Sequence, residues 1–286
     1  MASTTTTLND LLPQIVAEAL FVASERSIMR GLVKNYTIGA QQGKTITVPI
    51  YPLQTAIGLT EGTAAASGGN GLVDVSTDGV TLTVAEVGLA TQITDLARIS
   101  SASNIVSDIG RLFGEAIARK MDLDLTALFD SFSTNVVGSD STALTAATIF
   151  QAVAKLKSAG VPSTDIACVL HPAVAYDLKS AITNVFANPN AGDLQNEAMR
   201  QGYIGQLAGI PVYETSNIAN TGTTGDYKCG VFHRDAIGLA MMQDIKIESQ
   251  RQSLLRGDDI IATAIYAKGI IREQYGVEVV ADSSIL

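Results

Sequence analysis

Lys44-Thr-Ile-Thr-Val-Pro-Ile-Tyr51 and Asp78-Gly-Val-Thr-Leu-Thr-Val-Ala85 alternate with period two, as half-buried strands do. Between them lies Gly58–Gly71, where Gly58, Gly62, Gly68, Gly69 and Gly71 sit among Ala, Ser and Thr. Glu61 is the only charge from Thr45 to Val73. A solvated loop of this length normally carries charge, and a buried one leaves backbone polar groups unpaired. The stretch therefore reads as a long, charge-poor hairpin whose tip lies on another molecule.

Composition points the same way. The chain has 286 residues, enough for a sizeable core, with 47% hydrophobic and only 16% charged residues, against a usual charged share of about 25%. Low charge fits a membrane protein or a chain that buries surface against partners. No run of about 18 apolar residues is free of charge, and Glu18 breaks the apolar Ile15–Ala23. No basic segment precedes that run, so a secretory signal is not expected. A net charge of −9 with scattered Lys and Arg argues against dedicated nucleic-acid binding. The absence of Trp leaves few stacking surfaces for bases. Two cysteines, Cys168 and Cys229, suit a reducing compartment without structural disulfides. Burial by self-assembly accounts for this composition best.

Outward from the hairpin, Asn9 or Asp10 can cap a helix whose first turn holds Pro13. Leu12, Ile15, Val16, Ala19, Leu20 and Ala23 share one face of it, and Gly31 offers a stop. This helix packs either on its own core or as an arm on a neighbouring subunit. After the hairpin, Ser103–Phe132 carries Ile105, Ile109, Leu112, Phe113, Ala116, Ile117, Met121, Leu125, Leu128, Phe129 and Phe132 at helical spacing, a rod of roughly 42 Å. Its other face bears Arg111, Glu115, Arg119, Lys120, Asp122 and Asp124, with Glu115–Arg119 spaced as an i,i+4 pair.

Gly138–Thr142 reads as a turn-rich joint, and Thr145 as the cap of a helix Ala146–Ala159 stopped by Gly160 and Pro162. Ile166–Leu170 is a short apolar strand, His171-Pro172 opens a helix Ala173–Ile182, and Asn188–Asn196 reads as a loop. Strands are expected at Gly209–Ser216, Lys228–Phe232 and Ala236–Met241, with a loop at Ala219–Asp226. Asp244–Leu254 and Ile260–Gln274 then alternate over unusual lengths, joined by Arg256-Gly-Asp-Asp259 as a tight turn. A ribbon that long matches the rod, and the two are expected to lie together. Strands mixed with helices give an α+β class.

No motif carries chemistry convincingly. Cys168-x-x-His171 and Cys229-x-x-x-His233 contain the ligand types of a zinc site, but nothing in the sequence sets one pair beside the other and Cys168 lies inside an apolar strand. A hydrolase using His171 or His233, with Cys168 or Ser163 as nucleophile, lacks the strained nucleophile turn such enzymes carry. Asp122 and Asp124, two apart on a helix, point about 200° apart and read as a solvated or interface pair. Arg256-Gly-Asp258 is explained as a turn, and Gly205-x-x-x-Gly209 lacks the Lys of a phosphate loop. No cofactor, metal site or enzymatic activity is expected.

The order of elements (arm, glycine-tipped hairpin, long rod, α+β unit, long ribbon, short tail) resembles the major capsid proteins of tailed bacteriophages with the HK97 fold. Three phrases look familial: Val169-Leu-His-Pro-Ala-Val-Ala-Tyr-Asp-Leu178, Ile204-Gly-Gln-Leu-Ala-Gly-Ile-Pro-Val-Tyr213 and Gly230-Val-Phe-His-Arg-Asp-Ala-Ile-Gly-Leu-Ala240. The resemblance implies an HK97-like α+β fold: an N-terminal arm at 1–35, an extended loop at 36–98, a peripheral domain at 99–135 plus 241–275, and an axial domain at 136–240 plus 276–286. It further implies self-assembly into hexamers and pentamers of an icosahedral shell enclosing double-stranded DNA, in a virion assembled in the host cytoplasm. Leu59, Thr60, Glu61, Gly62 and Leu72 on the hairpin, Leu12 and Val16 on the arm, and Arg111 and Glu115 on the rod are the expected inter-subunit contacts. A separate scaffolding protein, a portal and a decoration protein are the further partners it suggests, with no membrane. Some family members cross-link through a Lys–Asn isopeptide; here the hairpin tip has no Lys, so a non-covalent overlap is expected. The same fold also serves encapsulin-like nanocompartments, the alternative role.

Overall fold

Two long antiparallel strands organise the computed structural model, which describes residues 27–39, 43–51, 56, 58, 61, 78–100, 105–186, 206–220 and 225–285. They are β10 (Ile237–Gln252) and β11 (Gly257–Ile270), paired from Ile237↔Ile270 to Gln252↔Gly257. The expected strands Ala236–Met241 and Asp244–Leu254 are thus one strand. The alternation breaks between them because register shifts fall at Met241/Gln243 and Gln243/Lys246, where a bulge inserts extra residues into one side of the ladder. The expected turn is also displaced: Ser253–Arg256 makes the turn, and Gly257, Asp258 and Asp259 already pair with β10. Arg256 adopts φ +49°, the left-handed conformation such a reversal needs.

In chain order, the short helix α1 (Met29–Leu32) leads into β1 (Lys34–Thr37), which runs parallel to β10. Gly31 lies inside α1 rather than ending it. The hairpin forms from β2 (Thr45–Ile50) and β3 (Asp78–Thr83), in register from Thr45↔Thr83 to Ile50↔Asp78. Val48 and Leu82 point inward and join Ile38, Ala240, Ala267 and Ile271 in a small core of their own. β4 (Ala85–Thr94) then pairs along β11, giving a four-stranded sheet in the order β1-β10-β11-β4. β1 and β4 were not foreseen: one is four residues long, and in the other the inward row of Val87, Leu89, Thr91 and Ile93 is only half-buried, although it alternates and packs on the core.

A short helix α2 (Asp95–Ser100) precedes the rod, α3 (Ile105–Thr126), which tightens into a 3₁₀ turn over Ala127–Ser131. Ile109, Phe113, Ile117, Met121, Leu125 and Phe129 are buried, whereas the expected core residues Leu112 and Ala116 face outward. The buried row climbs in steps of four, and each such step advances about 40° around the axis. The core face therefore winds around the rod instead of running straight along it. The rod lies with the ribbon as expected: Tyr266 on β11 donates its hydroxyl to Asp124 at 2.7 Å.

The second sheet has six strands in the order β5-β12-β9-β6-β8-β7. Its members are β5 (Val136–Ala143), β6 (Ile166–Leu170), β7 (Gln206–Leu207), β8 (Ile210–Glu214), β9 (Asp226–His233) and β12 (Gly276–Asp282). The joint expected at Gly138–Thr142 is part of β5, a mostly exposed edge strand. It imitates a turn because Gly138 (φ +87°) and Ser141 (φ +66°) bend it and its register against β12 shifts after Val280. Helix α4 (Ala146–Ser158) begins where Thr145 Oγ1 accepts from the Thr148 amide, and α5 (Pro172–Phe186) follows β6. The loop expected at Asn188–Asn196 lies outside the described residues. The C-terminal strand is threaded between β5 and β9, and only Asp282 of its seven residues is less than buried. Phe129 and Phe132, both fully buried, carry the rod's end into this sheet and pack against Gly230 and Gly276. Burying each ring stabilises the join by about 2–3 kcal/mol.

The candidate assembly surface

Apolar side chains that the core does not use gather at one end of the four-stranded sheet. Leu254 is 98% exposed and Leu255 59%, both in the turn between β10 and β11. Leu96 and Ile99, also exposed, lie on α2, whose first amide, that of Asp95, donates to the Arg256 carbonyl at 2.8 Å. Scattered exposed leucines are ordinary, but four on adjoining segments form a patch suited to contact. Ion pairs tie these adjoining segments together. Arg251 holds Asp95 through two contacts of 2.7 and 2.6 Å and reaches Asp258 at 3.3 Å, while Arg98 lies 3.7 Å from Asp258. The Arg251 guanidinium keeps the Asp95 carboxyl below its usual range. Gln92 adds a bond to Asp259 at 2.8 Å. Both expected strands and an ion network thus fix a turn that would otherwise be a loose loop tip.

The second surface lies along the rod. Asp122 and Asp124 are not the solvated pair expected from their spacing. Asp122 is fully buried and accepts from Ser27 Oγ (2.8 Å), the Ile28 amide (3.2 Å), the Met29 amide (3.2 Å) and Asn217 Nδ2 (3.5 Å). Burial pushes its carboxyl up from the ordinary range, opposed by these hydrogen bonds. It therefore caps α1 from outside and ties the root of the N-terminal arm to the loop after β8. Asp124 faces the other way, toward Lys268 (2.7 Å), Lys120 (3.0 Å) and Tyr266. Burial raises its carboxyl, but these partners outweigh burial and hold it below its usual value. The 200° separation was right; the core's winding path around the rod is what placed one of the two inside. No residue pattern near Asp122 announces its role, because its partners lie more than ninety positions away.

Of the expected contact residues, Arg111 and Glu115 are exposed on the outward face of the rod. Glu115 lines a polar cavity of about 470 Å³ with Ile28, Arg119 and Glu214–Asn217. Glu61 is exposed in a turn. Leu59, Thr60, Gly62 and Leu72 on the hairpin, and Leu12 and Val16 on the arm, lie outside the described residues. The signal for the ribbon end was present in the sequence as Leu254-Leu255 beside a turn.

The fold does bring the two Cys/His pairs onto neighbouring strands, since β6 pairs β9 with Ile166↔His233 and Cys168↔Val231. Their side chains are committed elsewhere. The His171 ring stacks on Tyr227 at 3.8 Å, and its Nδ1 accepts from the Ala173 amide at 3.2 Å. The His233 Nδ1 accepts from the Asp235 amide at 3.1 Å. Burial pushes the Cys168 thiol up, and the Cys229 thiol to about 12, which leaves almost no thiolate at neutral pH. Among the described residues no group of three or more His, Cys, Asp and Glu is placed to hold an ion. No helix among them is long and apolar enough to cross a membrane.

Comparison with known proteins places the fold. Residues 77–277 match the family model described as phage capsid protein. No curated protein matches the chain. A solved structure from Mycobacterium phage Che8 superposes with a TM-score of 0.69 at 20% identity, covering 88% of this chain and 90% of that one. The capsid structure of the cyanophage P-SCSP1u gives 0.69 at 18%, covering 90% and 89%. The holo-SrpI encapsulin complex from Synechococcus elongatus PCC 7942 gives 0.61 at 9%, covering 90% and 88%. With a family match over more than half its length and a fold shared with phage capsids, the chain belongs to the phage capsid protein family: it is a major capsid protein of HK97-like α+β fold, a structural component of a homo-oligomeric virion shell.

Proposed function

We propose that copies of this chain close as hexamers and pentamers into an icosahedral shell around double-stranded DNA, assembled in the host cytoplasm. The observation that supports this most is the braced apolar turn, with Leu254 98% exposed, which suits a contact between neighbouring subunits. In this reading the four-stranded sheet and rod form the peripheral unit, which takes in Lys34–Thr37 and Ala85–Thr94 as well as 99–135 and 241–275. The six-stranded sheet forms the axial unit, from 136–240 and 276–286 less Ile237–Ala240, which begin β10 of the other sheet. Beyond the strands Lys34–Thr37 and Ala85–Thr94, the 1–35 arm and the 36–98 loop reach over adjacent copies through Leu12, Val16, Leu59, Thr60, Glu61, Gly62 and Leu72, with Arg111 and Glu115 among the further contact residues. A scaffolding protein, a portal and a decoration protein are separate chains, and DNA is held without sequence-specific contacts, consistent with the net charge of −9. The subunit has no catalytic role.

Electron microscopy and sedimentation of the expressed chain test this. Capsomers or closed shells are expected; a monodisperse monomer of 29.9 kDa at high concentration would overturn the reading. The likeness to the SrpI encapsulin favours a second role on the same fold, a nanocompartment that loads protein cargo. Nuclease-protected DNA in native particles supports the virion reading, and a stoichiometric co-purified enzyme supports the other.

A further inference from the structure

Both histidines of this chain, His171 and His233, accept a backbone amide at Nδ1, but only one has a counter-charge beside it. His171 is the N-cap of α5. Its carbonyl accepts the Ala175 amide at 2.9 Å, the first bond of the helix, and its ring accepts the Ala173 amide at 3.2 Å. Accepting at Nδ1 makes the ring a neutral imidazole with its proton on Nε2. The residue is half-buried, and its ring lies flat on Tyr227 of β9, with centroids 3.8 Å apart and planes 7° from parallel. His233, by contrast, has Asp235 Oδ2 3.9 Å from its Nδ1.

No described carboxylate pairs with the His171 ring, because the charged groups on the elements around it are engaged elsewhere. Asp177 of α5 accepts the Ser284 amide at 2.9 Å, and Lys179 of α5 pairs with Glu214 of β8 at 2.7 Å. Asp226 of β9 accepts the Ser141 amide at 3.3 Å, and Lys228 of β9 pairs with Glu278 of β12 at 3.2 Å. Asp140 of β5 acts on Glu278. The Cys229 thiol, against which the His171 amide lies, is pushed up to about 12 and stays neutral. Burial is the one influence on the His171 ring, and it disfavours the charged form.

We propose that His171 is a proton-sensitive latch on the start of α5: taking up a proton opens the first turn of the helix from β9. Three effects act together. An imidazolium donates from both nitrogens, so the Ala173 amide loses its acceptor. A positive charge at a helix N-terminus opposes the macrodipole. The charge is also half-buried without a counter-ion. The Tyr227 face attracts a cation and acts in the opposite direction, but that contact already exists with the neutral ring, so only its increment counts. Opening stays local, since Asp177–Ser284 and Lys179–Glu214 hold α5 further along. The contribution of the latch is present in full above 6.5 and is lost as pH falls from there through the lowered folded value. None of this depends on how the shell closes.

The test is amide hydrogen exchange on the full chain, read as protection factors at about pH 7.5 and about pH 5. In the parent, the Ala173 and Ala175 amides are expected to lose protection by about tenfold or more on acidification, while those of Cys168–Leu170 in β6 do not. His171→Asn, whose Oδ1 keeps an acceptor at the cap without titrating, is expected to hold its protection at both pH values. His233→Asn is expected to keep the parent's loss. Undiminished protection in the parent at low pH, or the same loss in His171→Asn, would overturn the proposal. So would a loss abolished by His233→Asn, which would assign the trigger to the other histidine. Should His171→Asn misfold, ring NMR of the parent decides: the His171 ring should take up its proton over the range in which protection is lost. A protonated ring with the Ala173 amide still protected would overturn the latch.

Discussion

Arg251 on β10 and Asp95 at the start of α2 meet through two parallel contacts, Nη1 to Oδ1 at 2.7 Å and Nη2 to Oδ2 at 2.6 Å. The pair joins residues 156 positions apart, and Arg251 lies two residues before the turn Ser253–Arg256 that holds the apolar side chains. Both partners are solvent-exposed, so the pair adds little to the subunit's own stability. Its value is geometric: a planar guanidinium fixes the orientation of its partner as a single ammonium does not. Arg251→Lys is expected to leave the subunit's Tm within about 3 °C of the parent yet slow shell assembly followed by light scattering. Unaltered assembly kinetics would show that the brace is dispensable.

The exposed turn itself separates folding from assembly. Leu254→Ser with Leu255→Ser removes apolar surface that the isolated subunit leaves in water. Denaturant unfolding of the dissociated subunit should change by about 0.5 kcal/mol or less. Shells, by contrast, should dissociate at a lower denaturant concentration than the parent's.

Asp122 gives the opposite pattern. Asp122→Ala strands the Ser27 hydroxyl and the Ile28 and Met29 amides, which lie in or beside the core. The expected cost is about 1–3 kcal/mol in urea unfolding of the subunit, and hydrogen exchange should rise first at residues 27–33. Equal stability in the variant would mean that water replaces the carboxylate without loss.

Acid should expose the two classes of carboxylate. Asp235 is held below its ordinary value of 3.8 by Lys34, so its contribution is present above that value and is lost as pH falls through the lowered folded pKa. The pair is partly exposed and solvent-screened, so the change amounts to a fraction of a kcal/mol. Asp122, pushed above 3.8 by burial, has the opposite sign: its contribution is full below 3.8 and declines as pH rises through the raised folded pKa. Relative to the parent, Asp235→Asn should therefore lose less Tm on acidification below pH 3.8. Asp122→Asn should show a flatter profile just above pH 3.8, measured by calorimetry.

Gly138 is a test of the edge strand. Its φ of +87° lies in the left-handed region, and an added Cβ would stand 2.1 Å from the Val280 carbonyl oxygen. Gly138→Ala is expected to destabilise the six-stranded sheet by about 2–4 kcal/mol, from backbone strain and the clash together. Thermal melting of the subunit checks it.

The regular parts of this molecule were legible because local patterns set them. Alternation over Lys44–Tyr51 and Asp78–Ala85 gave the hairpin, Thr145 gave the start of α4, and the helical spacing of Phe113, Ile117, Met121 and Leu125 gave the rod. What misled were positions where a local pattern has two structural meanings. The polar run Gly138–Thr142 looks the same as a turn and as a bent edge strand, because both expose their side chains. The gap between Ala236–Met241 and Asp244–Leu254 looks the same as a loop and as a bulge, because both interrupt the alternation.

By itself, then, the sequence determined the elements and their order, since backbone periodicity and capping act over a few residues. Only the tertiary structure decided that Asp122 is buried and Leu112 is not, although both belong to one helix. That choice depends on which elements the winding face of the rod meets along its length. Those partners arrive from Ser27 and Asn217, some ninety-five positions away on either side, and chain-local patterns carry no record of them.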